Sequence, residues 1–343
     1  MRSVVLSRPL ERWCVQAMSH LLSVPTDLLD EAWEQVRHKQ AYRTFAIENS
    51  RVVHLPTDLL FEIQRRFLRQ VLYAGPISPA ACAGVPGRTI LPIISNHLRA
   101  AGELLCMDIQ DAYGSTSFSH VSLALRQRLR QEMWVLGLAH PQTVAVAAAL
   151  TYLVVAPKGR GPTQQLPLGT PTSVALFNLV CLELDGDVLR LLDHMAPGQL
   201  YYTRYVDDLA ISGSGPLPSG IEQELEKIIW KHRYRVRHEK TRRCLAAQGV
   251  ICGMQRTKSG EIEPSDRTRQ RLAEQIRTHL AAFDKWNASV TSRDRTLAAL
   301  RGLDSFIRRF YDNHSRERPP ELRFVVPDAP KVPLTDNIDV LWR

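Results

Sequence analysis

The chain has 343 residues, and its 44 Lys or Arg outnumber its 35 Asp or Glu to give a formal net charge of +9. That length can bury a substantial core, as one large domain or as two or three packed subdomains, and the basic surplus suits a protein that tracks phosphate backbones. Six cysteines without a Cys-x-x-Cys pair argue against zinc spacing or a disulfide framework, and the longest apolar run, Val144 to Ala156, falls short of the about 20 residues that span a bilayer.

In chain order, the N-terminus has no apolar core of signal-peptide length, so a cytoplasmic protein without a membrane partner is expected. Leu10 to Gln40 reads as helices broken at Ser23-Val24-Pro25, an N-terminal helical extension over 1–40. Tyr42 to Pro56 reads as a hairpin with Glu48-Asn49-Ser50 at its turn. Thr57-Asp58 then caps an amphipathic helix, with Leu60, Ile63, Phe67 and Val71 on one face and Arg65, Arg66 and Arg69 on the other. The arginine face reads as a solvated face, with contact to a template as the alternative. Residues 75–88 are rich in Pro, Gly and Ala and read as loop.

Leu104 to Tyr113 is an apolar strand that ends in Asp108 and then turns. Val144 to Ala156 fits a buried helix, and Leu166-Pro167-Leu168-Gly169-Thr170-Pro171 is a turn that opens an apolar helix carrying Asn178. Tyr201 to Gly213 reads as strand, tight turn, strand, with Tyr205-Val206-Asp207-Asp208 at the turn. Ile221 to Trp230 is helical and Tyr234 to Arg237 alternates like a strand. Asp266 to Trp286 and Arg293 to Tyr311 are helical and studded with arginine, and the proline-rich tail from Ser315 lacks periodicity.

Adjacent aspartates are poor strand formers, so a pair inside an apolar hairpin calls for a reason. A surface turn explains Asp207-Asp208 alone, and an N-cap explains Asp108 alone. Together they form a different pattern: one carboxylate at a strand end and two on a hairpin suit two hard cations about 4 Å apart that clamp an attacking oxygen and a leaving pyrophosphate.

These segments resemble, in order, motifs A, B and C of reverse transcriptases, with the bacterial retron-type enzymes, relatives of group II intron maturases, as the nearest pattern. Arg51-Val52-Val53-His54-Leu55-Pro56 is similar to the fingers motif, His238-Glu239-Lys240-Thr241 resembles motif D, and Gly249 to Met254 resembles the primer-grip region. The resemblance implies an α+β right-hand polymerase, with fingers and an antiparallel palm over 41–255, a small helical thumb over 256–314 and the tail over 315–343. It implies two Mg²⁺ ions, with Mn²⁺ as the alternative, held by Asp108, Asp207 and Asp208, the last being the less critical ligand. Lys240 would neutralise or protonate the pyrophosphate. Arg51 would pair the incoming phosphates, with Arg43 as its substitute. Asp111 and Ala112 would line the triphosphate through backbone N–H groups, Tyr113 would block a ribose 2′-hydroxyl, and Gly169 and Asn178 would shape the nucleotide pocket. His97 reads better as a satisfied core histidine. The implied partners are dNTPs, a structured noncoding RNA that becomes an RNA–DNA hybrid, and an effector protein in antiphage defence.

The chain departs from the pattern at several points. Leu168 stands where the family has Gln, Ser95-Asn96-His97 replaces a fuller Asn-Ala-x-x-His, and Ile251-Cys252-Gly253 replaces Val-Thr-Gly. A defence enzyme of another lineage, with protein-primed or untemplated synthesis, stands as one alternative. A catalytically idle RNA-binding scaffold stands as another, although three mutually repelling carboxylates without a metal argue against it.

Overall fold

A computed structural model describes residues 9–47, 51–158, 163–283, 290–312 and 316–327. The chain divides into two compact units, Met1–Ala247 and Gln248–Arg343. The first unit begins with α1 (Arg12–Leu22) and α2 (Thr26–Arg37), parted where Pro25 cannot continue a helix, as the sequence predicts. β1 (Tyr42–Ile47) and β2 (Arg51–Pro56) pair antiparallel from Tyr42↔Pro56 to Ile47↔Arg51. The turn at 48–50 lies outside the described residues. Thr57 caps α3 (Asp58–Phe67) by accepting the Leu60 N–H, and the helix widens into a π-turn at Leu68–Leu72.

α4 (Ile90–Leu98) leads into β3 (Glu103–Asp108), followed by the single turn α5 (Ala112–Ser115), then α6 (Phe118–Arg128), α7 (Arg130–Val135) and α8 (His140–Val154). β4 (Ala156–Pro157) and β5 (Gln164–Gln165) form a short hairpin before α9 (Ser173–Val180) and α10 (Leu182–Met195). β6 (Leu200–Tyr205) and β7 (Asp208–Gly213) make a tight hairpin, α11 (Ile221–Lys231) follows, and β8 (Arg242–Leu245) closes the unit. Tyr234 to Arg237, expected as a strand, makes only an isolated bridge from Val236 to Ile109.

The central sheet has the order β6-β7-β3-β8 and is antiparallel throughout. Its two inner strands are apolar on both faces because both faces are covered. Leu105, Met107, Leu209 and Ile211 join the core with Val188 and Leu192 of α10 and with Leu225 and Ile229 of α11. On the opposite face, buried Leu104 and Ala210 lie on the side where α4 packs. There His97 is fully buried, its Nδ1 2.9 Å from Ser212 Oγ and its Nε2 2.7 Å from Thr203 Oγ1. Loss of water lowers its pKa to about 4, so it is a neutral cross-brace between β6 and β7. The buried helix α8 anchors the N-terminal helices: Trp33 of α2 meets Tyr152 edge-on at 5.8 Å.

In the second unit, β9 (Val250–Ile251), β10 (Met254–Arg256) and β11 (Ile262–Pro264) form a three-stranded sheet. α12 (Asp266–Phe283) and α13 (Val290–Arg308) pack on each other, and Leu272, Ile276, Leu300 and Ile307 are buried in this unit. Beyond them, Arg316 reaches Glu261 at 3.0 Å and Glu263 at 2.9 Å, and Leu322 is fully buried, so this part of the proline-rich tail is packed. Among the described residues, no helix is long and apolar enough to cross a membrane.

Candidate active site

The register of the central sheet brings the acidic segments together. Asp108, the last residue of β3, pairs with Asp208, the first of β7, and Asp208 pairs in turn with Tyr205 of β6. Directly opposed residues share a face, so Asp108 and Asp208 project to the same side of the sheet. Asp207 completes the group from the turn, where its carbonyl accepts the Ile109 N–H at 2.9 Å. Val206, the other turn residue, sits at φ 56. A β-branched side chain in left-handed backbone costs roughly 1–3 kcal/mol, and such strain concentrates at working sites.

Asp108 is 2% exposed, and its Oδ2 accepts from Lys240 Nζ at 2.6 Å. Its Oδ1 is buried with no hydrogen-bond partner, although Arg237 Nε lies 3.6 Å away. The Asp208 carboxyl is raised to about 6, first by loss of solvent, although one side of the residue stays open, and then by the charges of Asp207 and Asp108. Lys240 and Arg242 oppose that rise. Among the described residues, no group of three or more His, Cys, Asp or Glu side chains is placed so that it could hold a metal ion. The donor chemistry nevertheless fits a hard cation: Asp108 keeps an orphaned buried carboxylate oxygen, and the charges of Asp207 and Asp108 raise the Asp208 carboxyl.

The turn after β3 carries the other expected groups. Asp111 has φ 45, and its carboxylate pairs with Lys158 Nζ at 3.4 Å, while Lys158 also donates to the Gly114 carbonyl at 2.7 Å. Ala112 is buried and opens α5. Tyr113 is half-buried with its ring edge-on to Phe177 at 5.8 Å. Its hydroxyl is pushed well above the usual tyrosine range by burial, then by the charges of Asp207 and Tyr205, so the ring neighbours the acidic turn.

Gly169 has φ +100, and a Cβ there would lie 2.7 Å from Val53 Cγ1. Backbone freedom and space both demand glycine at this point. The preceding Leu168 carbonyl accepts the His54 N–H at 2.8 Å, which joins this loop to β2. Asn178 is buried and held by the scaffold: its Nδ2 donates to the Ala83 carbonyl at 2.8 Å, and its Oδ1 accepts from Arg204 at 3.2 Å. Arg51 opens β2, but its side chain lies outside the described residues. Arg43 is exposed on β1, paired with Leu55.

Sequence reasoning passed over three basic residues. Lys158 and Arg237 touch Asp111 and Asp108, and neither stands in a recognisable motif. Arg204 had a visible signal, a charge inside an apolar strand two positions before the turn.

No protein-family model matches the chain. Among curated proteins, it is 31% identical over 223 residues to the retron Mx65 reverse transcriptase of Myxococcus xanthus, a match covering 61% of this chain and 48% of that protein. It is 27% identical over 277 residues to the retron Mx162 reverse transcriptase of the same organism, covering 76% and 55%. The retron Ec73 reverse transcriptase of Escherichia coli is 22% identical over 259 residues, covering 74% and 75%. The chain thus spans about half the length of the two Myxococcus relatives. Similar solved structures include telomerase from Candida albicans, with TM-score 0.43 and 12% identity over 78% of this chain and 56% of that one. Telomerase from Candida tropicalis gives TM-score 0.45 and 11% identity over 65% and 54%. The α+β architecture, with its antiparallel sheets, is consistent with a right-hand polymerase, and the curated homologues of this chain are retron reverse transcriptases.

Proposed function

We propose that the chain is an RNA-directed DNA polymerase that copies a structured noncoding RNA into DNA by two-metal nucleotidyl transfer. The observation that carries this reading is the register Asp108↔Asp208 beside Asp207, with an orphaned Oδ1 on Asp108, in a chain whose curated homologues are reverse transcriptases. Asp108, Asp207 and Asp208 would hold two divalent ions, Mg²⁺ in the first place. Bound there, the ions supply the positive charge that activates the 3′-hydroxyl and stabilises the departing pyrophosphate.

The protein's own groups do the rest. Lys240, at 2.6 Å from Asp108, balances one carboxylate charge and lies within reach of a leaving phosphate once the carboxylate is otherwise neutralised. The backbone N–H groups of the turn at Asp111 and Ala112 face the triphosphate of an incoming dNTP. Tyr113, whose ring is edge-on to Phe177, would set the floor under the sugar and exclude a 2′-hydroxyl. The basic surplus of the chain attracts the RNA and, later, the RNA–DNA hybrid. A role in antiphage defence goes with the retron relationship.

Asp207→Asn tests the reading. It should abolish dNTP incorporation on a primed RNA template while RNA retention in a filter assay is unchanged or tighter, because the variant loses a ligand and a negative charge together. Near-normal extension by the variant at saturating Mg²⁺ would sink the metal assignment.

A further inference from the structure

Arg204 of β6 and Asp185 of α10 are both fully buried, on the face of the sheet opposite to the candidate metal ligands. The guanidinium forks onto Asp185, Nε to Oδ1 and Nη2 to Oδ2, each at 2.8 Å. Nη1 reaches Asn178 Oδ1 at 3.2 Å and the Val206 carbonyl at 3.0 Å. Tyr202 donates to Asp185 Oδ1 at 2.8 Å, and the Phe177 ring lies under the guanidinium at 5.4 Å. The backbone of Arg204 is fixed as well, donating to the Ala80 carbonyl and accepting from Cys82.

A salt bridge taken wholly out of water is seldom more stabilising than apolar side chains of the same size, so its presence here calls for another account. The geometry offers one. The single bond that leaves this network toward the candidate active site ends on the carbonyl of Val206, the residue whose φ of 56 is the most strained in the acidic hairpin. The same guanidinium touches α9 through Asn178 and Phe177, and Phe177 supports Tyr113.

We infer that Arg204 is a positioning residue for the metal-binding turn: it clamps the Val206 carbonyl, keeps that residue in left-handed backbone, and so presents Asp207 and Asp208 in one arrangement. It also fixes that arrangement to the helices that carry Asn178 and Asp185. Lysine cannot do the same, since a point charge with a single nitrogen lacks the planar fork needed to hold carboxylate, amide and carbonyl at once. The inference rests on the reading of Asp207 and Asp208 as metal ligands.

The test is Mn²⁺ binding to the full chain, followed by electron paramagnetic resonance without RNA or dNTP. Arg204→Lys should keep the circular dichroism spectrum and raise the Mn²⁺ midpoint about tenfold, as a strained turn relaxes. Adding Val206→Gly should bring the midpoint back to within about threefold of wild type, because glycine takes positive φ without steric cost. A role confined to core stability predicts no such rescue from a turn position. If Arg204→Lys does not fold, Arg204→Met with Asp185→Leu replaces the ion pair by apolar side chains, and the same two measurements are made on it. An unchanged midpoint in a folded variant, or absence of rescue by glycine, overturns the inference. Failure of both backgrounds to fold also overturns it, since the network is then a stability element. Wild-type protein that binds Mn²⁺ equally well with Asp207→Asn overturns the metal reading itself, and that outcome is distinct from the others.

Discussion

Asp208→Asn should make the metal-free protein more stable at neutral pH. The carboxyl of Asp208 is displaced from an ordinary 3.8 to about 6, chiefly by loss of solvent and then by Asp207 and Asp108. At 1.36 kcal/mol per pH unit that displacement corresponds to about 3 kcal/mol. The residue keeps an open face, so solvent screening removes most of this and leaves about 1 kcal/mol. The sign follows from the direction: a folded-state value above the unfolded one means that protonation favours the fold. The stabilisation is present in full below about pH 4 and is lost as pH rises through about 6, so at pH 7.5 the ionised carboxylate is a penalty that asparagine lacks. Thermal melts in EDTA should place the variant roughly 2 °C above wild type at pH 7.5, with the gap closing toward pH 4.5. Adding Mg²⁺ at ten times its Kd should stabilise wild type by about 1.4 kcal/mol and the variant by less, so the gap shrinks. A variant that melts below wild type in EDTA at pH 7.5, or a gap that does not depend on pH, would refute the crowding of these carboxylates.

Tyr113→Ala should raise ribonucleotide relative to deoxyribonucleotide incorporation, while Tyr113→Phe leaves the ratio nearly unchanged, because bulk against Phe177 is the selecting feature; competition between labelled rNTP and dNTP reads it. Gly169→Ala should cost roughly 1–3 kcal/mol through its backbone alone, lowering the melting temperature and raising the dNTP KM, and Val53→Ala should recover only part of the loss because the φ of +100 remains. Leu168→Gln should lower the dNTP KM about fivefold by adding one hydrogen bond beside the nucleotide, since the loop itself is already fixed through the Leu168 carbonyl. A fall in templated synthesis by that variant favours an enzyme rebuilt for untemplated addition.

The acidic hairpin was legible because short-range chemistry determines it: alternating apolar residues fix the strands, and a two-residue turn leaves Asp207 and Asp208 no other place. The hairpin of 42–56 and the Thr57 cap were legible for the same reason. Partnerships that span sequence distance were not. Lys240 reads as a pyrophosphate group, and nothing in the sequence shows that β8 and its preceding turn also bring it onto Asp108. Asn178 reads as a pocket residue, and nothing in the sequence shows that Ala83 and Arg204 occupy both ends of its amide. Tyr234 to Arg237 has the alternation of a strand, but the chain pairs only Val236 there. Helix ends in the second unit follow the arginine-rich pattern closely at Asp266, whereas 284–289 lies outside the described residues.

The main-chain bond from His54 to the Leu168 carbonyl, with Val53 seated over Gly169, has a mechanical consequence. The β1–β2 hairpin and the loop that begins α9 cannot move independently without breaking a hydrogen bond and opening a gap at Gly169. The hairpin and the loop are therefore tied at one point. Phe45, Val52 and Leu55 stand exposed along the hairpin. A displacement of that hairpin therefore reaches the backbone at Leu168 and Gly169 through one main-chain hydrogen bond and one side-chain contact.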